Sequence, residues 1–290
     1  MKTIAHISDL HFGAIDMTVV DGLLRDLAAL APSLIVISGD LTQRATDEEF
    51  MAAKEFLRAL PSTYLVIPGN HDVPLYRFWE RIFDPFGNYK TYISETLDPL
   101  YSDEEIAVLG LNTARRFPIV DGRISLSQIA DMKSKFALLG DNIFKVVVTH
   151  HPLVPPAGKE QDAGHKGETG RAMLALGVTD ESGVDLLLSG HLHFASNHDT
   201  SLQYPALKRS AVVVQAGTAT STRRRGEPNA FNFFVIEHHK FSLTVRAWDG
   251  TNFQPTSGAD FEKDPLTLKW HRIVEPNLPP RAQPDVVSEK

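Results

Sequence analysis

Several short polar segments of this sequence each follow a run of apolar residues. They carry carboxylates, imidazoles and one carboxamide, and the chain has no cysteine. These groups suit borderline or hard metal ions such as Zn, Mn, Fe and Co. The segments are Ser8-Asp9-Leu10-His11, Gly39-Asp40, Gly69-Asn70-His71-Asp72, Thr149-His150-His151 and Gly190-His191-Leu192-His193.

The apolar runs before these segments predict buried strands, so each segment lies at the carboxyl end of a strand. Helices predicted at Met17–Leu30 and at Asp47–Leu60, the latter capped by Thr46 or Asp47, separate the first three strands. This β-α-β-α-β order implies parallel strands joined by right-handed crossovers. In open α/β sheets, ligands bind at the carboxyl edge of the strands. We therefore expect the polar segments to converge there.

The residue types fit a centre of two metal ions that share one carboxylate. The assignment is Asp9, His11 and His193 for one ion, Asn70, His150 and His191 for the other, and Asp40 for the bridge. Two divalent ions leave an excess of about one positive charge over two carboxylates and a bridging hydroxide, which suits an anionic phosphodiester. Such a pair can polarise phosphoryl oxygens, generate a nucleophile and stabilise an in-line transition state.

The set of segments, in this order, resembles the calcineurin-like metallophosphoesterase superfamily, from residue 3 to about residue 250. The resemblance implies an α/β fold, a four-layer α/β/β/α sandwich of two facing mixed sheets. It agrees with the ligand assignment above and requires two metal ions, whose identity among Mn, Fe, Zn and Co stays open. We predict a domain over residues 1–258 and a C-terminal extension over residues 259–290, whose end we expect to be mobile.

The resemblance also implies catalytic roles for two residues. His71 should not bind metal but should contact the substrate phosphate and protonate the leaving alkoxide. Asp72 should orient His71 through a hydrogen bond. The family pattern favours His150 over His151 as the metal ligand, although His151 could also be a loop residue before Pro152.

Within the superfamily, the chain looks like the bacterial class III cyclic nucleotide phosphodiesterases and glycerophosphodiesterases. The likeness rests on the segments 110–113 and 217–221 and on the short chain. Asn112, Arg115 and Arg116 follow a strand end and are candidate substrate contacts, with a solvated loop as the alternative. The run Arg223-Arg224-Arg225 is either a phosphate clamp or, as we favour, a solvated loop.

We therefore expect a metal-dependent enzyme that hydrolyses small phosphodiesters by in-line attack of a metal-bridging hydroxide. One alternative is hydrolysis of a nucleotide-sugar lipid pyrophosphate or of a nucleic-acid end, for which the aromatic stretch from Trp79 to Tyr92 could supply an apolar groove. A remote alternative is a non-catalytic scaffold, which should have lost some ligands. The net charge of −7 argues against a nucleic-acid-binding platform.

Composition is that of a globular domain, with 42% apolar and 22% charged residues in 290. The N-terminus does not resemble a signal peptide, because its short apolar stretch already contains His6 and Asp9. No window has the roughly 18 apolar residues of a membrane span, so we expect a cytoplasmic protein. A late β-hairpin offers an edge through which two copies could form a homodimer.

The remaining elements are predicted from apolar spacing. We expect a helix at Ser127–Leu139 with Ser127 as its cap, and short helices and loops between Val73 and Pro99. Late strands are expected at Ala211–Gln215, Asn232–Glu237 and Phe241–Trp248.

Overall fold

The structure is a computed structural model, and it describes residues 1–117, 120–155, 169–193, 196–200, 204, 206–223 and 226–273. The strands are β1 (Lys2–Ile7), β2 (Leu34–Ile37), β3 (Tyr64–Val66), β4 (Leu100–Ser102), β5 (Ile106–Leu111), β6 (Gly122–Arg123), β7 (Phe144–Thr149), β8 (Thr169–Gly170), β9 (Leu186–Ser189), β10 (Ser196–Asp199), β11 (Val212–Gln215), β12 (Ala230–Glu237), β13 (Lys240–Trp248), β14 (Phe253–Lys263) and β15 (Trp270–Ile273). The α-helices are α1 (Met17–Leu30), α2 (Asp47–Arg58), α3 (Phe78–Phe83), α4 (Gly87–Tyr92), α5 (Leu126–Ala137) and α6 (Ala172–Ser182).

Two mixed sheets organise the strands. One has the order β15-β14-β13-β12-β1-β2-β3, and the other has the order β10-β11-β9-β7-β5-β4. The strands that precede the polar segments are parallel within each sheet: β2 lies between β1 and β3, and β7 lies between β5 and β9. Within each sheet the carboxyl ends of these strands therefore lie at the same edge, as the predicted alternation of strands and helices implies.

Three apolar cores define the layers. Leu23 of α1 and Phe50 of α2 pack on one sheet, and Met132 of α5 packs on the other. Residues such as Val36 and Val148 fill the space between the sheets. Because successive strand side chains point to opposite faces, each central strand contributes to two cores. The predicted four-layer α/β/β/α sandwich is confirmed.

Helix starts follow local capping chemistry. In α2, the Thr46 hydroxyl accepts a hydrogen bond from the Glu49 N–H, and the Glu49 carboxylate accepts one from the Thr46 N–H, both at 3.3 Å. In α5 the predicted cap is wrong. Ser125, not Ser127, accepts the Gln128 N–H, at 3.1 Å. The Ser125 N–H in turn donates to the Gln128 side-chain oxygen, which completes a capping box.

The segment after residue 258 continues the first sheet. The predicted boundary falls inside β14, and β15 pairs antiparallel with β14. Trp270 of β15 is buried and donates a 3.1 Å hydrogen bond from Nε1 to Asp185, next to the second sheet. The part that we expect to be mobile, from residue 274 onward, lies outside the described residues. Through residue 273, with the gaps given above, no helix has the length and apolar character to cross a membrane.

Candidate metal centre

The loops that follow β1 and β2 run side by side and deliver the first candidate ligands. The Asp9 N–H donates to the Gly39 carbonyl at 3.1 Å, and the His11 N–H donates to the Asp40 carbonyl at 3.0 Å. These backbone hydrogen bonds continue the parallel pairing of the two strands past their ends. They fix the positions of the Asp9 and Asp40 loops relative to each other without the help of a cation.

Strained backbone is concentrated at these loops. Among the described residues, ten that are not glycine have a positive φ, and five of them are candidate ligands: Asp9 (53°), His11 (53°), Asp40 (53°), His191 (70°) and His193 (61°). Such conformations cost of order 1–3 kcal/mol each and persist only where the surroundings enforce them. The strained backbone at these five residues lowers stability but fixes the directions of their side chains. Such strain is typical of functional sites.

Two glycines make room for the carboxylates. A Cβ on Gly190 would collide with Ser8 Oγ and lie 2.6 Å from Asp9 Oδ2. A Cβ on Gly69 would collide with Asp40 Oδ1. The glycines before His191 and Asn70 are thus required by the close approach of the ligand loops.

One group of candidate ligands is fully formed. Asp9, His11, Asp40 and His193 are all buried, and one ligand atom from each lies within 4.8 Å of the others. Asp9 Oδ1 is 3.3 Å from His193 Nε2 and 3.7 Å from His11 Nε2. Asp40 Oδ2 is also 3.7 Å from His11 Nε2.

A second group meets the same carboxylate. His150 Nε2 lies 3.3 Å from Asp40 Oδ2 and 3.1 Å from Asn70 Oδ1. His150, His151 and His191 also have ligand atoms within 4.8 Å of one another. His151 directs Nδ1 to the Thr113 hydroxyl at 2.8 Å, whereas His150 is the member with measured contacts to Asp40 and Asn70. The structure thus brings all seven predicted ligands into two adjoining groups, with Asp40 touching both.

The donor set fits cations. His11, His150 and His193 each have Nδ1 within 2.8–3.3 Å of a backbone carbonyl. In the neutral form of each ring this contact places the proton on Nδ1 and leaves the Nε2 lone pair facing inward. When both rings are neutral in this way, the Nε2 atoms of His11 and His193 face each other at 3.4 Å with no proton between them. Buried Asp9 Oδ1 has no hydrogen-bond partner in the described part of the chain. A cation would satisfy all of these lone pairs.

The pKa values of the candidate histidine ligands also suit metal binding. Burial lowers the pKa of His11 and of His191 to about 4, so both imidazoles are neutral near pH 7 and able to coordinate a cation. For His150, burial lowers the pKa, but the nearby Asp40 carboxylate outweighs burial and raises it to about 9. Without metal, a proton on His150 therefore compensates the Asp40 charge. A bound cation would take the place of that proton.

His71 lies beside the first group but points its ring nitrogens elsewhere. Its ring packs edge-on against His11, with centroids 4.8 Å apart. Its Nδ1 donates to the Gln43 carbonyl at 2.8 Å, and its Nε2 lies 3.3 Å from Arg223 Nη1. This leaves Nε2 as the nitrogen that can exchange a proton with a ligand.

The expected hydrogen bond from Asp72 to His71 is not formed, which corrects the sequence-based role of Asp72. The Asp72 carboxylate accepts the backbone N–H groups of Leu41, Thr42 and Gly69 at 2.9–3.1 Å, together with the Thr42 hydroxyl at 2.9 Å. Asp72 therefore joins the loops that carry Asp40 and Asn70. The Gln43 carbonyl orients His71 instead, a contact that no side-chain pattern could have indicated.

The predicted substrate contacts lie in other networks. Asn112 Oδ1 accepts the Ala114 N–H at 2.9 Å, and Arg115 binds the Asn112 carbonyl and the Gln128 side chain. Arg116 donates to the Ile82 carbonyl. No contact joins these three to the candidate ligands in the described residues. Arg223 is exposed, as a solvated loop residue would be, and its guanidinium also lies 3.3 Å from His71 Nε2. Residues 224 and 225 lie outside the described residues.

A family profile described as calcineurin-like phosphoesterase matches residues 2–195, more than half of the chain. The chain belongs to this family. The predicted membership is confirmed, and the matched segment contains all seven candidate ligands together with His71 and Asp72.

Relatives within the family are distant. The chain is 26% identical over 166 residues to a probable glycerophosphodiester phosphodiesterase, GpdQ, of Arcobacter nitrofigilis, and this match covers 57% of the chain and 58% of that protein, less than two thirds. It is 26% identical over 203 residues to a probable cyclic nucleotide phosphodiesterase of Synechococcus sp., covering 67% of the chain and 74% of the relative. For a glycerophosphodiester phosphodiesterase, GpdQ, of Enterobacter lignolyticus, identity is 27% over 210 residues, with 66% and 70% covered.

Two solved structures share the fold. The purple acid phosphatase PPD1 of yellow lupin seeds has a TM-score of 0.69 at 10% identity, with 92% of this chain and 55% of that chain covered. GAP50, the anchor in the inner membrane complex of Plasmodium, has a TM-score of 0.59 at 13% identity, with 92% and 90% covered. At these identities the likeness concerns the fold alone. Beyond membership of the family, the reaction, metal identity, metal number, oligomeric state and cellular location stay predictions.

Proposed function

We propose that this chain hydrolyses small phosphodiesters with two metal ions that share Asp40. The observation that carries the proposal is the position of one carboxylate oxygen. Asp40 Oδ2 lies 3.7 Å from His11 Nε2 in the first group and 3.3 Å from His150 Nε2 in the second. A carboxylate in contact with imidazole nitrogens of both groups suits a bridge between two cations, which would take the place of the proton that His150 otherwise carries.

The proposed ligands are those assigned from the sequence: Asp9, His11 and His193 for one ion, Asn70, His150 and His191 for the other, and Asp40 for both. When bound, such ions polarise phosphoryl oxygens and lower the pKa of a coordinated water. The second group contains the neutral amide of Asn70 where a carboxylate could stand, so it leaves more positive charge for an anionic substrate. The identity of the metal is not fixed by these ligand types.

His71 is proposed to protonate the leaving oxygen. In hydrolysis, water adds to phosphorus and the P–O bond to the alkoxide breaks, so the departing oxygen must gain a proton. With Nδ1–H held by the Gln43 carbonyl, a protonated imidazole would present Nε2–H to that oxygen. The same hydrogen bond would fix the orientation of the ring.

A diester of the cyclic nucleotide or glycerophosphodiester type is the proposed substrate class. Three relatives carry such names, and a diester has a single negative charge, which matches an excess of about one positive charge at the centre. We infer that the substrate is small because the chain is acidic overall, with a net charge of −7, and so favours no extended polyanion.

One observation favours the alternative of a lipid-linked substrate. Trp79 and Phe83 of α3 are 69% and 77% exposed and stack at 6.0 Å. Helix α3 lies next to the loop that carries Gln43. Arg77, which precedes α3, donates a 2.6 Å hydrogen bond to the carbonyl of Ala45, and Ala45 is two residues after Gln43. A lipid tail could lie on such a surface.

A substrate panel tests the proposal. The full chain is stripped with chelator, reloaded separately with Mn²⁺, Zn²⁺ or Fe²⁺, and assayed on 3′,5′- and 2′,3′-cyclic nucleotides, a glycerophosphodiester, bis(p-nitrophenyl) phosphate, p-nitrophenyl phosphate and a lipid-linked nucleotide pyrophosphate. We expect hydrolysis of a small diester that exceeds monoester hydrolysis and disappears with chelator. Preference for the lipid substrate would favour the alternative, and inactivity with all metals would contradict both.

A further inference from the structure

The loop that carries Arg223 is firmly attached to the site. The Ser221 hydroxyl and the Thr222 N–H both donate to the Ala14 carbonyl, at 3.2 and 2.8 Å. The buried Asn229 side chain donates to the Ser221 carbonyl at 2.9 Å. These contacts hold residue 223 against the loop that follows Asp9 and His11, so its position is built into the fold.

Arg223 contacts the centre through both its backbone and its side chain. Its carbonyl is 3.2 Å from His193 Nδ1 and accepts that proton, which directs His193 Nε2 toward Asp9. Its guanidinium Nη1 lies 3.3 Å from His71 Nε2 and 3.4 Å from Gln43 Oε1. The positive charge thus stands beside Nε2, the ring nitrogen of His71 that the Gln43 carbonyl does not hold.

No carboxylate in the part of the chain that the structure describes pairs with this guanidinium. Arg223 is exposed, and within the described residues it takes part in no ion pair. Its two side-chain contacts, to Gln43 and His71, involve no carboxylate and use a single nitrogen, Nη1. In a chain with 36 acidic and 29 basic side chains, an arginine that faces the proposed site without an acidic partner indicates a place for an anion. Guanidinium pairs with phosphate oxygens in a bidentate manner.

We propose that Arg223 binds a non-bridging oxygen of the substrate phosphate, beside His71. The inference rests on the proposed function and adds a substrate-binding residue to it. On substrate entry the guanidinium exchanges its neutral acceptors for phosphate oxygens, and this exchange frees His71 Nε2 for the leaving oxygen. Because the contact to His193 uses the Arg223 carbonyl, replacing the side chain leaves that hydrogen bond in place.

Binding of inorganic phosphate to the metal-loaded full chain provides the test, measured by isothermal titration calorimetry. The variants are Arg223→Gln, which removes the charge, and Arg223→Lys, which keeps it without the planar fork. Arg58→Gln is the matched control, because Arg58 is the exposed last residue of α2 and, among the described residues, its ion pair is with the exposed Glu55. Metal content and melting temperature are measured for each variant.

We expect Arg223→Gln to raise the phosphate Kd at least tenfold, with unchanged metal content and melting temperature. Arg223→Lys should retain part of the affinity, and Arg58→Gln should match the wild type. A wild-type Kd in Arg223→Gln, absence of phosphate binding by the wild type, or loss of affinity that follows loss of metal would each overturn the inference.

The two proposals fail separately. If phosphate affinity depends on Arg223 but no diester is hydrolysed, the binding role holds and the proposed function is wrong. If diesters are hydrolysed and Arg223→Gln keeps the wild-type KM and phosphate Kd, the proposed function holds and the role of Arg223 is wrong.

Discussion

The backbone N–H of His71 donates a 2.8 Å hydrogen bond to Oδ1 of Asp40. The other oxygen of the same carboxylate faces both groups of candidate ligands, through His11 and His150. One buried side chain therefore positions the proposed acid and joins the two proposed metal sites. Changes at Asp40 should disturb metal retention and His71 together, whereas removal of the His71 imidazole should affect proton transfer alone.

Asp40→Ala should lose the shared ligand and retain about one metal ion or fewer per chain, because each remaining group lacks a carboxylate bridge. Metal is counted by inductively coupled plasma mass spectrometry after reconstitution and desalting. Asp131→Ala is the control, since Asp131 pairs with Lys135 on the surface of α5. Two tightly bound ions per chain in Asp40→Ala would refute the bridging role.

His71→Ala should fold and keep its metal, because the described hydrogen bonds of the imidazole go to Gln43 and Arg223 and not to a candidate ligand. We expect kcat to fall by about 10²–10⁴-fold on diesters with alkoxide leaving groups and by much less on bis(p-nitrophenyl) phosphate, whose leaving group needs no proton. The exposed His239→Ala serves as control. Equal losses on both kinds of diester would argue against a role in protonation, and full kcat on the alkoxide diester would exclude it.

Gly190→Ala should displace Asp9, because the added Cβ would collide with Ser8 Oγ and approach Asp9 Oδ2 to 2.6 Å. We expect weaker metal binding and a loss of about 1–3 kcal/mol in the free energy of unfolding. The matched control is Gly177→Ala in α6, where a Cβ would meet nothing within 4 Å and should stabilise the helix by about 0.5–1 kcal/mol. Metal titrations measure the metal affinity of both variants, and urea unfolding measures their stability. Wild-type metal affinity in Gly190→Ala would show that the close approach of residue 190 to Asp9 is not needed.

Much of the site follows from sequence because its chemistry lies at strand ends. Asp9, Asp40 and His191 each stand next to a buried apolar run, and parallel strands bring such positions together whatever the remaining loops do. The strands β14 and β15 were harder to foresee. Most residues of β14 are exposed, and Pro255 interrupts it, so its sequence carries little of the apolar alternation that predicts a strand.

The contacts that orient the site depend on loop geometry, which single-sequence patterns do not carry. His71 is held by a backbone carbonyl, that of Gln43, and every residue type has one. Arg223 reaches His71 across 152 positions of sequence, through a loop whose course depends on Ala14 and Asn229. Asp72 was expected to serve its neighbour His71 but lies buried against the Thr42 loop. For these three residues the sequence indicates a functional side chain, but the residue that it contacts is determined by the tertiary structure.

Asp103 provides a pH-dependent test of the fold away from the site. Partial burial raises its pKa, but hydrogen bonds from Lys2 and from the Ile106 and Glu105 N–H groups outweigh burial and lower it from 3.8 to about 2. Because the folded pKa is below the unfolded one, the stabilisation is present above about pH 4 and is lost as the pH falls towards 2. After allowance for its partial exposure, we expect Asp103→Asn to cost about 1–2 kcal/mol at pH 7.

Urea unfolding of the wild type and of Asp103→Asn between pH 7 and pH 2 measures that contribution. The difference in the free energy of unfolding should be constant down to about pH 4 and should narrow below it. A difference that is the same at both ends of this range would mean that the substitution acts through packing, not through charge.

Anomalous diffraction at the manganese edge, from crystals of the Mn²⁺-loaded chain, tests the central claim most directly. We expect two peaks about 3.5–4 Å apart, both in contact with Asp40, one also bound by Asp9, His11 and His193 and the other by Asn70, His150 and His191. A single peak, or two peaks of which one does not touch Asp40, would contradict the shared-carboxylate centre on which the proposed phosphodiesterase depends.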